Sequence, residues 1–380
     1  MILKELFMKL LQISNYYYPH IGGIEQVARD ISDSVQCERK VFCFNSGKNS
    51  VIDTVDGVEV VRAGCFAKIA SQSLSFRYGK MLKKTFAAFK PDLVIFHYPN
   101  PFAAHFLLKI LKKYPDCKLI VYWHLDIVKQ KFLKLFFNGQ NKRLLIRADK
   151  VVCTSPNYLK YSPWLSPMED KCVVIPNCLN LKNLSDCDLS DKTDEIKSVA
   201  ANKKICFAIG RHIPYKGMEY LVKASRYLPD DYKIYIAGQG PLTERLKELA
   251  AEDEKITFLG KISEEDKIAY YKACDIFCFP SVTKNEAFGI ALAEAMSFGK
   301  PAVTFTIEGS GVNYVSLSGV TGIEVENGNS EKFAGAIKTL GENQELAEKY
   351  GAAAKKRVEE NFTFEKFKEN INNLIKEYNV

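Results

Sequence analysis

The amino-acid sequence predicts an α/β protein built from two doubly wound domains. Three observations carry that expectation. The 380 residues fit two domains at roughly 100–200 residues each. Apolar runs alternate with amphipathic stretches in two successive sets, and such alternation implies right-handed crossovers and a mostly parallel sheet. Between the sets, residues 181–204 are polar and aperiodic, which reads as a surface linker. At 47% hydrophobic and 26% charged residues, the composition excludes long disorder, collagen and coiled coil.

The first domain, 1–180, opens with a strand over Lys9–Ile13 and a turn-rich stretch over 14–23. A helix follows over 24–35, where Ile24, Val27, Ala28, Ile31 and Val35 recur at helical spacing. Further strands are expected at 41–44, 58–61, 93–96, 119–123, 151–153 and 173–175, with helices over 74–89 and 102–113. The second domain, 205–360, places strands at 205–209, 233–237, 256–259, 275–279 and 302–305. Its helices are expected at 218–227, 242–250, Glu264–Ala273, 289–298 and 332–340. Residues 361–380 form a closing segment, a helix over 364–378 with Phe367, Ile371, Leu374 and Tyr378 along one side. Two such domains would face each other across a cleft. Ligands of these folds sit at the carboxyl ends of the strands, so the strand-to-helix loops are where chemistry is sought.

Charge divides unevenly. The net charge is +8, yet residues 1–180 carry 26 Lys and Arg against 14 Asp and Glu, while 181–380 carry 27 against 31. An asymmetry of this kind suggests a polyanionic partner or a membrane surface. No apolar run approaches ~18 residues, so no transmembrane span is expected. The start, interrupted by Lys4 and Glu5 and lacking a small-residue cleavage site, is not read as a signal peptide. The 11 cysteines contain no Cys-x-x-Cys pair and read as reduced core thiols of a cytoplasmic protein.

Four loops invite chemistry. In Tyr18-Pro-His-Ile-Gly-Gly-Ile-Glu25, Gly22 and Gly23 let backbone N–H groups approach a phosphate at a helix start, although the same pair also suits an ordinary tight turn. In Ile209-Gly-Arg-His-Ile-Pro-Tyr-Lys-Gly217, Arg211 offers a planar fork and Lys216 a point charge, a combination suited to a diphosphate; the alternative is two solvated cations. The third loop, Ser281 to Met296, separates Glu286 from Glu294 by seven residues. N–H groups near Phe288, Gly289 and Ile290 would attract anionic oxygens at the helix mouth, and Glu294 can reach back towards it because helical side chains lean N-terminally. Carboxylates bind hydroxyls and repel phosphate, so the ligand that fits has sugar rings flanking a diphosphate, as in a nucleotide sugar. The plainer alternatives are Glu286 as a cap and Glu294 as a solvated face, but a charge among Ala291, Leu292, Ala293, Ala295 and Met296 needs a reason. In the fourth loop, Tyr122-Trp-His-Leu-Asp126, His124 leaves a strand where a sugar or acceptor would sit, and spacing alone does not separate that role from a structural one. Dinucleotide, P-loop, nucleophile-elbow and Asp-x-Asp metal patterns all fail to appear in the required context.

With Arg211, Lys216, Gly238-Gln-Gly240-Pro241, the run 275–281 and the Glu286/Glu294 spacing in order, the chain resembles glycosyltransferase family 4, of the GT-B fold. Gly22-Gly23-Ile24-Glu25 and Trp123-His-Leu-Asp-Ile-Val-Lys-Gln130 resemble bacterial mannosyl and rhamnosyl transferases of surface-glycan assembly. The resemblance implies two Rossmann-like domains, the first on the acceptor side, with the C-terminal helix returning to the first. It implies that Arg211 and Lys216 hold the donor diphosphate, aided by backbone at Gly23, Phe288 and Gly289. Glu286 would bind the transferred sugar and Glu294 the ribose, with the base against the loop ending at Ile262 and His124 near the sugar and the attacking hydroxyl. Retention of anomeric configuration and independence of any metal or cofactor are implied too, because protein cations stabilise the leaving diphosphate.

The expected donor is GDP-mannose or a UDP-hexose, and the expected acceptor a glycan or lipid-linked glycan. The basic, apolar run 129–147 and the lysines of 109–118 suit docking on anionic lipid, peripherally on the inner face of the cytoplasmic membrane; a basic helix packed on the core is the alternative. No nucleic-acid motif accompanies the charge. A GT-B nucleotide-sugar 2-epimerase and a catalytically silent partner subunit are the competing functions.

Overall fold

Leu10, Leu11, Gln12 and Ile13 of the first strand, β1 (Lys9–Ile13), are all buried. Near-continuous burial without alternation is the mark of a parallel strand covered on both faces. The computed structural model describes residues 8–20, 22–69, 72–126, 131–181, 189–251 and 253–378, apart from the side chains of 131–137. These fall into two units, one of Met1–Thr154, Leu159–Ile175 and Phe367–Val380, the other of Ser155–Tyr158 and Pro176–Lys366.

In the first unit, β1 is followed by β2 (Glu38–Phe44), β3 (Val51–Val55), β4 (Val58–Ala63), β5 (Ala67–Ile69), β6 (Gln72–Leu74), β7 (Leu93–Tyr98), β8 (Lys118–Trp123), β9 (Lys150–Cys153) and β10 (Cys172–Val174). The main sheet runs β10-β9-β8-β7-β1-β2-β4-β3. Every pairing in it is parallel except β3 on β4, a hairpin turned at Asp56-Gly57, a dipeptide such turns favour. β5 and β6 form a separate hairpin. Strand order reverses between β1 and β7, so the loops after those two strands leave the same edge of the sheet at its switch point.

The second unit repeats the plan with β11 (Lys204–Ile209), β12 (Tyr232–Ala237), β13 (Ile256–Gly260), β14 (Ile276–Phe279), β15 (Ala302–Phe305) and β16 (Gly322–Val325). Its order, β13-β12-β11-β14-β15-β16, is wholly parallel. Here the reversal lies between β11 and β14. The closing helix, Phe364–Lys376, buries Phe367, Ile371, Leu374 and Ile375, and the Asn372 amide donates to the Ser34 carbonyl at 3.1 Å. The chain's end thus returns to the first unit, as the resemblance implied.

Several expectations need correction. The run 181–204 is not an irregular linker throughout, because Ser190–Val199 is a helix. Leu189 and Ile196, one heptad apart, pack on Ile268 and Ala269, and Lys192 pairs with Glu265 and Asp266 at 3.2 and 2.8 Å. Two apolar residues in a polar stretch are too sparse a stripe to read without their partner. Residues 182–188 lie outside the described residues. The helix expected over 74–89 starts at Tyr78, since Leu74 ends β6. In the proposed docking run 129–147, Leu144 and Leu145 are buried in the core, while residues 127–130 and the side chains of 131–137, including Phe132, Leu133, Leu135, Phe136 and Phe137, lie outside the description.

Candidate active site

The switch point of the second sheet brings the β11 and β14 loops side by side. The Val282 N–H donates to the Tyr215 carbonyl at 3.0 Å, and a Cβ on Gly217 would stand 2.0 Å from the Pro280 carbonyl oxygen. Gly217 takes φ +63, a conformation glycine alone adopts without strain. This contact aims the preceding Lys216 across the gap, and its ammonium pairs with the Glu286 carboxylate. The same carboxylate oxygen accepts from the Ser281 hydroxyl at 3.1 Å, while the Ser310 hydroxyl donates to the Glu286 carbonyl at 2.5 Å. Lys216 also lies 5.2 Å from the Phe279 ring centroid. Arg211, five residues before it, is exposed and has no hydrogen-bond or ion-pair partner among the described residues. Sequence reasoning brought Arg211, Lys216 and Glu286 to one loop cluster; it missed Ser281 and Ser310, which carry no signal beyond being hydroxyls near Glu286.

Immediately after Glu286, Phe288 is buried and meets Phe362 edge-on at 5.3 Å, so only its backbone faces the loop. Gly289 precedes the helix Ile290–Ser297. The Leu292 and Ala293 N–H groups both close on the Gly289 carbonyl, leaving the N–H groups before them as the unpaired donors of a helix start. Glu294 does not stand as a solvated face. Lys267 reaches one carboxylate oxygen at 3.0 Å and the Tyr271 hydroxyl donates to the other at 2.8 Å. Burial alone would lower the Lys267 ammonium, but Glu294 and Glu264 outweigh it and raise its pKa; burial and then Glu294 push the Tyr271 phenol well up. Lys267 and Tyr271, four apart on Glu264–Ala273, thus supply the reason that a carboxylate is tolerated in an apolar helix. Ile262, just beyond β13, is half-buried against the same core.

In the first unit, Gly22 is the N-cap of the helix Gly23–Ser34, and the Gln26 N–H donates to its carbonyl at 2.9 Å. The Glu25 carboxylate folds back over Gly22, so close that a Cβ there would stand 2.3 Å from its oxygen. His124 follows β8 directly. Its backbone N–H donates to the Tyr98 carbonyl at 3.0 Å, and its ring stacks on Tyr122 at 4.7 Å. The imidazole Nε2 lies 3.0 Å from His97 Nδ1, and His97 Nε2 lies 3.0 Å from Gln12 Oε1. Burial depresses both imidazoles, His97 to about 3 and His124 well below its ordinary value, with His97 a further cause for the latter. Neither is charged near neutral pH. Asp126 accepts from the Trp123 indole at 2.9 Å and the Ser162 hydroxyl at 3.0 Å and anchors the loop. Gln12 and His97 went unread in the sequence because each sits in an apolar strand; a lone amide and a lone imidazole in such strands were the available signal.

The family described as Glycosyltransferase Family 4 matches residues 21–183, and that described as Glycosyl transferases group 1 matches 190–357. The O-antigen chain mannosyltransferase C of Escherichia coli is 30% identical over 94% of this chain and 95% of its own. The D-rhamnosyltransferase WbpZ of Pseudomonas aeruginosa is 30% identical over 94% and 92%. Among solved structures, sucrose-phosphate synthase from Thermosynechococcus elongatus superposes with a TM-score of 0.79 at 19% identity, over 97% of this chain and 98% of that one. Anabaena Alr3699/HepE in complex with UDP gives 0.78 at 19% identity, over 97% and 100%. The structural likeness establishes the GT-B fold, and relatives of 30% identity aligned along nearly the full length establish more: the chain belongs to glycosyltransferase family 4 and is a glycosyltransferase.

Proposed function

We propose that the chain is a retaining, metal-independent hexosyltransferase that passes a hexose, mannose first, from a nucleotide-sugar donor to a hydroxyl of a glycan or lipid-linked glycan. The observation that carries this reading is the Lys216–Glu286 pair at the β11/β14 switch point, with exposed Arg211 on the same loop. Two cations beside a carboxylate suit a diphosphate joined to a hydroxylated ring. Arg211 and Lys216 take the diphosphate and stabilise the charge it gains on leaving, the task a metal performs elsewhere. The N–H groups at Phe288, Gly289 and Ile290 add the helix-start field. Glu286, with one oxygen held by Lys216 and Ser281, accepts from hydroxyls of the transferred sugar. Glu294 keeps lone pairs beyond those used by Lys267 and Tyr271 and receives the ribose hydroxyls, with the base against Ile262. In the first unit, Gly22 and Gly23 offer backbone N–H groups to a phosphate, and His124 offers its imidazole to a hydroxyl of the sugar or the acceptor.

The name of the E. coli relative supports mannose as the first sugar, with GDP-mannose the first donor to test, and the UDP complexes of HepE keep UDP-hexoses next. The O-antigen chain in the E. coli relative's name supports a surface-glycan acceptor. The basic first 180 residues support contact with an anionic membrane surface; among the described residues, no helix is long and apolar enough to cross one.

A thermal-shift panel of GDP, UDP, dTDP and ADP sugars identifies the donor. Transfer to a hydroxyl acceptor in EDTA, with the product anomer assigned, then tests the chemistry: inversion or an absolute metal requirement sinks the mechanism, and loss of transfer with epimerised donor points to the epimerase. Glu286→Ala should abolish transfer while nucleoside diphosphate still binds. Arg211→Ala and Lys216→Ala should each weaken diphosphate binding by ~1.5–3 kcal/mol, the scale of charged hydrogen bonds.

A further inference from the structure

The buried chain behind His124 has a direction, and the direction can be read atom by atom. It begins at Gln12, wholly buried on β1. The Gln12 amide nitrogen faces the Ala28 carbonyl at 3.1 Å and the Ser32 hydroxyl oxygen at 2.7 Å. The Ala28 carbonyl only accepts and so demands a donor, while the Ser32 hydroxyl, which also faces that carbonyl at 3.1 Å and the Tyr17 hydroxyl, can accept as well. The NH₂ must point at them. Gln12 Oε1 therefore faces His97 Nε2 as an acceptor, and His97 Nε2 carries the proton. In a neutral imidazole the other nitrogen is then a lone pair, which makes His97 Nδ1 the acceptor for His124. His124 Nε2 donates, and His124 Nδ1 is left unprotonated, with no donor to it among the described residues.

We propose that Gln12 and His97 are positioning residues that lock His124 as its Nε2–H tautomer, so that it presents a neutral hydrogen-bond acceptor, reserved for a hydroxyl of the transferred sugar or of the acceptor. The proposal rests on the reading of His124 as a substrate contact. A neutral acceptor suits a hydroxyl and does not suit the anionic charge of a diphosphate. The other tautomer would turn a donor to the same place and would meet a hydroxyl through its oxygen lone pairs. The His97, His124 and Tyr122 rings lie within 12–23° of parallel, and the near-coplanar His97 and His124 meet edge to edge as their hydrogen bond requires.

The chain has five histidines, so long-range nitrogen-15 NMR of the histidine-labelled full-length enzyme resolves each imidazole. His124 Nδ1 is expected in the unprotonated range and Nε2 in the protonated range; the reverse overturns the proposal outright. His97→Phe should release the tautomer and lower kcat roughly tenfold, the scale of one hydrogen bond misdirected. His97→Asn should restore both, because its amide oxygen can stand where Nδ1 accepts. If His97→Phe folds with spectrum and kcat unchanged, the relay is wrong; if it does not fold, the wild-type spectrum still decides. His124→Ala tests the underlying reading separately, since full transfer by that variant removes His124 from the site whatever its tautomer.

Discussion

Lys216 and Glu286 neutralise each other while largely withdrawn from water, with side-chain exposures of 15% and 11%. Losing one partner therefore strands the other, a larger penalty than the pair's own net contribution. His97 and His124 of the first unit are different, for they are buried uncharged. His97 and His124 titrate far below the ordinary imidazole value of 6.5, so below pH 6.5 the unfolded chain binds protons that the folded chain refuses. Folded stability is then complete above about 6.5 and falls as pH drops towards 3, by about 1.4 kcal/mol per pH unit for each imidazole. Comparing Tm between pH 7 and 5 for the wild type and for His97→Asn should show the shallower fall in the variant. An equal fall in both means His97 is not buried neutral. At this scale the sequence disclosed cations and carboxylates on loops, since a charge beside a strand end is conspicuous. It hid Gln12, His97, Lys267 and Tyr271, whose roles depend on which strand or helix lies next to theirs.

The β11 and β14 loops of the second unit depend on backbone approach more than on side chains. Gly217 holds φ +63 with the Pro280 carbonyl where its Cβ would go. Gly217→Ala should lower stability by about 1–3 kcal/mol and weaken nucleoside diphosphate binding, because Lys216 moves with the loop. Gly319→Ala is the control, having φ +74 but open space around it; it should cost only the left-handed strain, about 1–2 kcal/mol, and leave binding intact. Calorimetric Tm and diphosphate titration read both effects, and equal binding losses would remove the loop contact as the cause. Strong apolar runs such as β1 and β11 were legible because their burial is nearly complete, and the helix Glu264–Ala273 because its acidic first turn precedes the buried Ile268, Ala269, Tyr271 and Ala273. The half-exposed edge strand β3 and the four-residue β16 were not, and Ser190–Val199 becomes amphipathic only against its neighbour.

Across the whole molecule, the positive excess lies in residues 1–180, and the fold shifts attention from the expected run 129–147 to a different surface of the first unit. Leu144 and Leu145 are core residues, whereas Phe76 is 87% exposed and stacks on Phe66 at 4.0 Å beside the β5–β6 hairpin, which also exposes Ile69. The following helix, Tyr78–Phe89, exposes Lys80, Lys83 and Lys84 and contains no acidic residue. Aromatic groups with adjacent unneutralised lysines suit the headgroup region of an anionic bilayer. Each lysine near such a surface contributes about 1 kcal/mol, so replacing the three with alanine should weaken partition onto phosphatidylglycerol vesicles roughly a hundredfold, and Phe76→Ala should weaken it further. Binding should fade as salt rises and the Debye length shortens, and phosphatidylcholine vesicles should retain little protein at any salt. Sedimentation that ignores lipid charge, or a triple variant that binds like the wild type, would leave the basic half without a membrane role; transfer to a water-soluble acceptor should be unaffected by the triple variant, because Lys80, Lys83 and Lys84 belong to a different unit from the β11 and β14 loops.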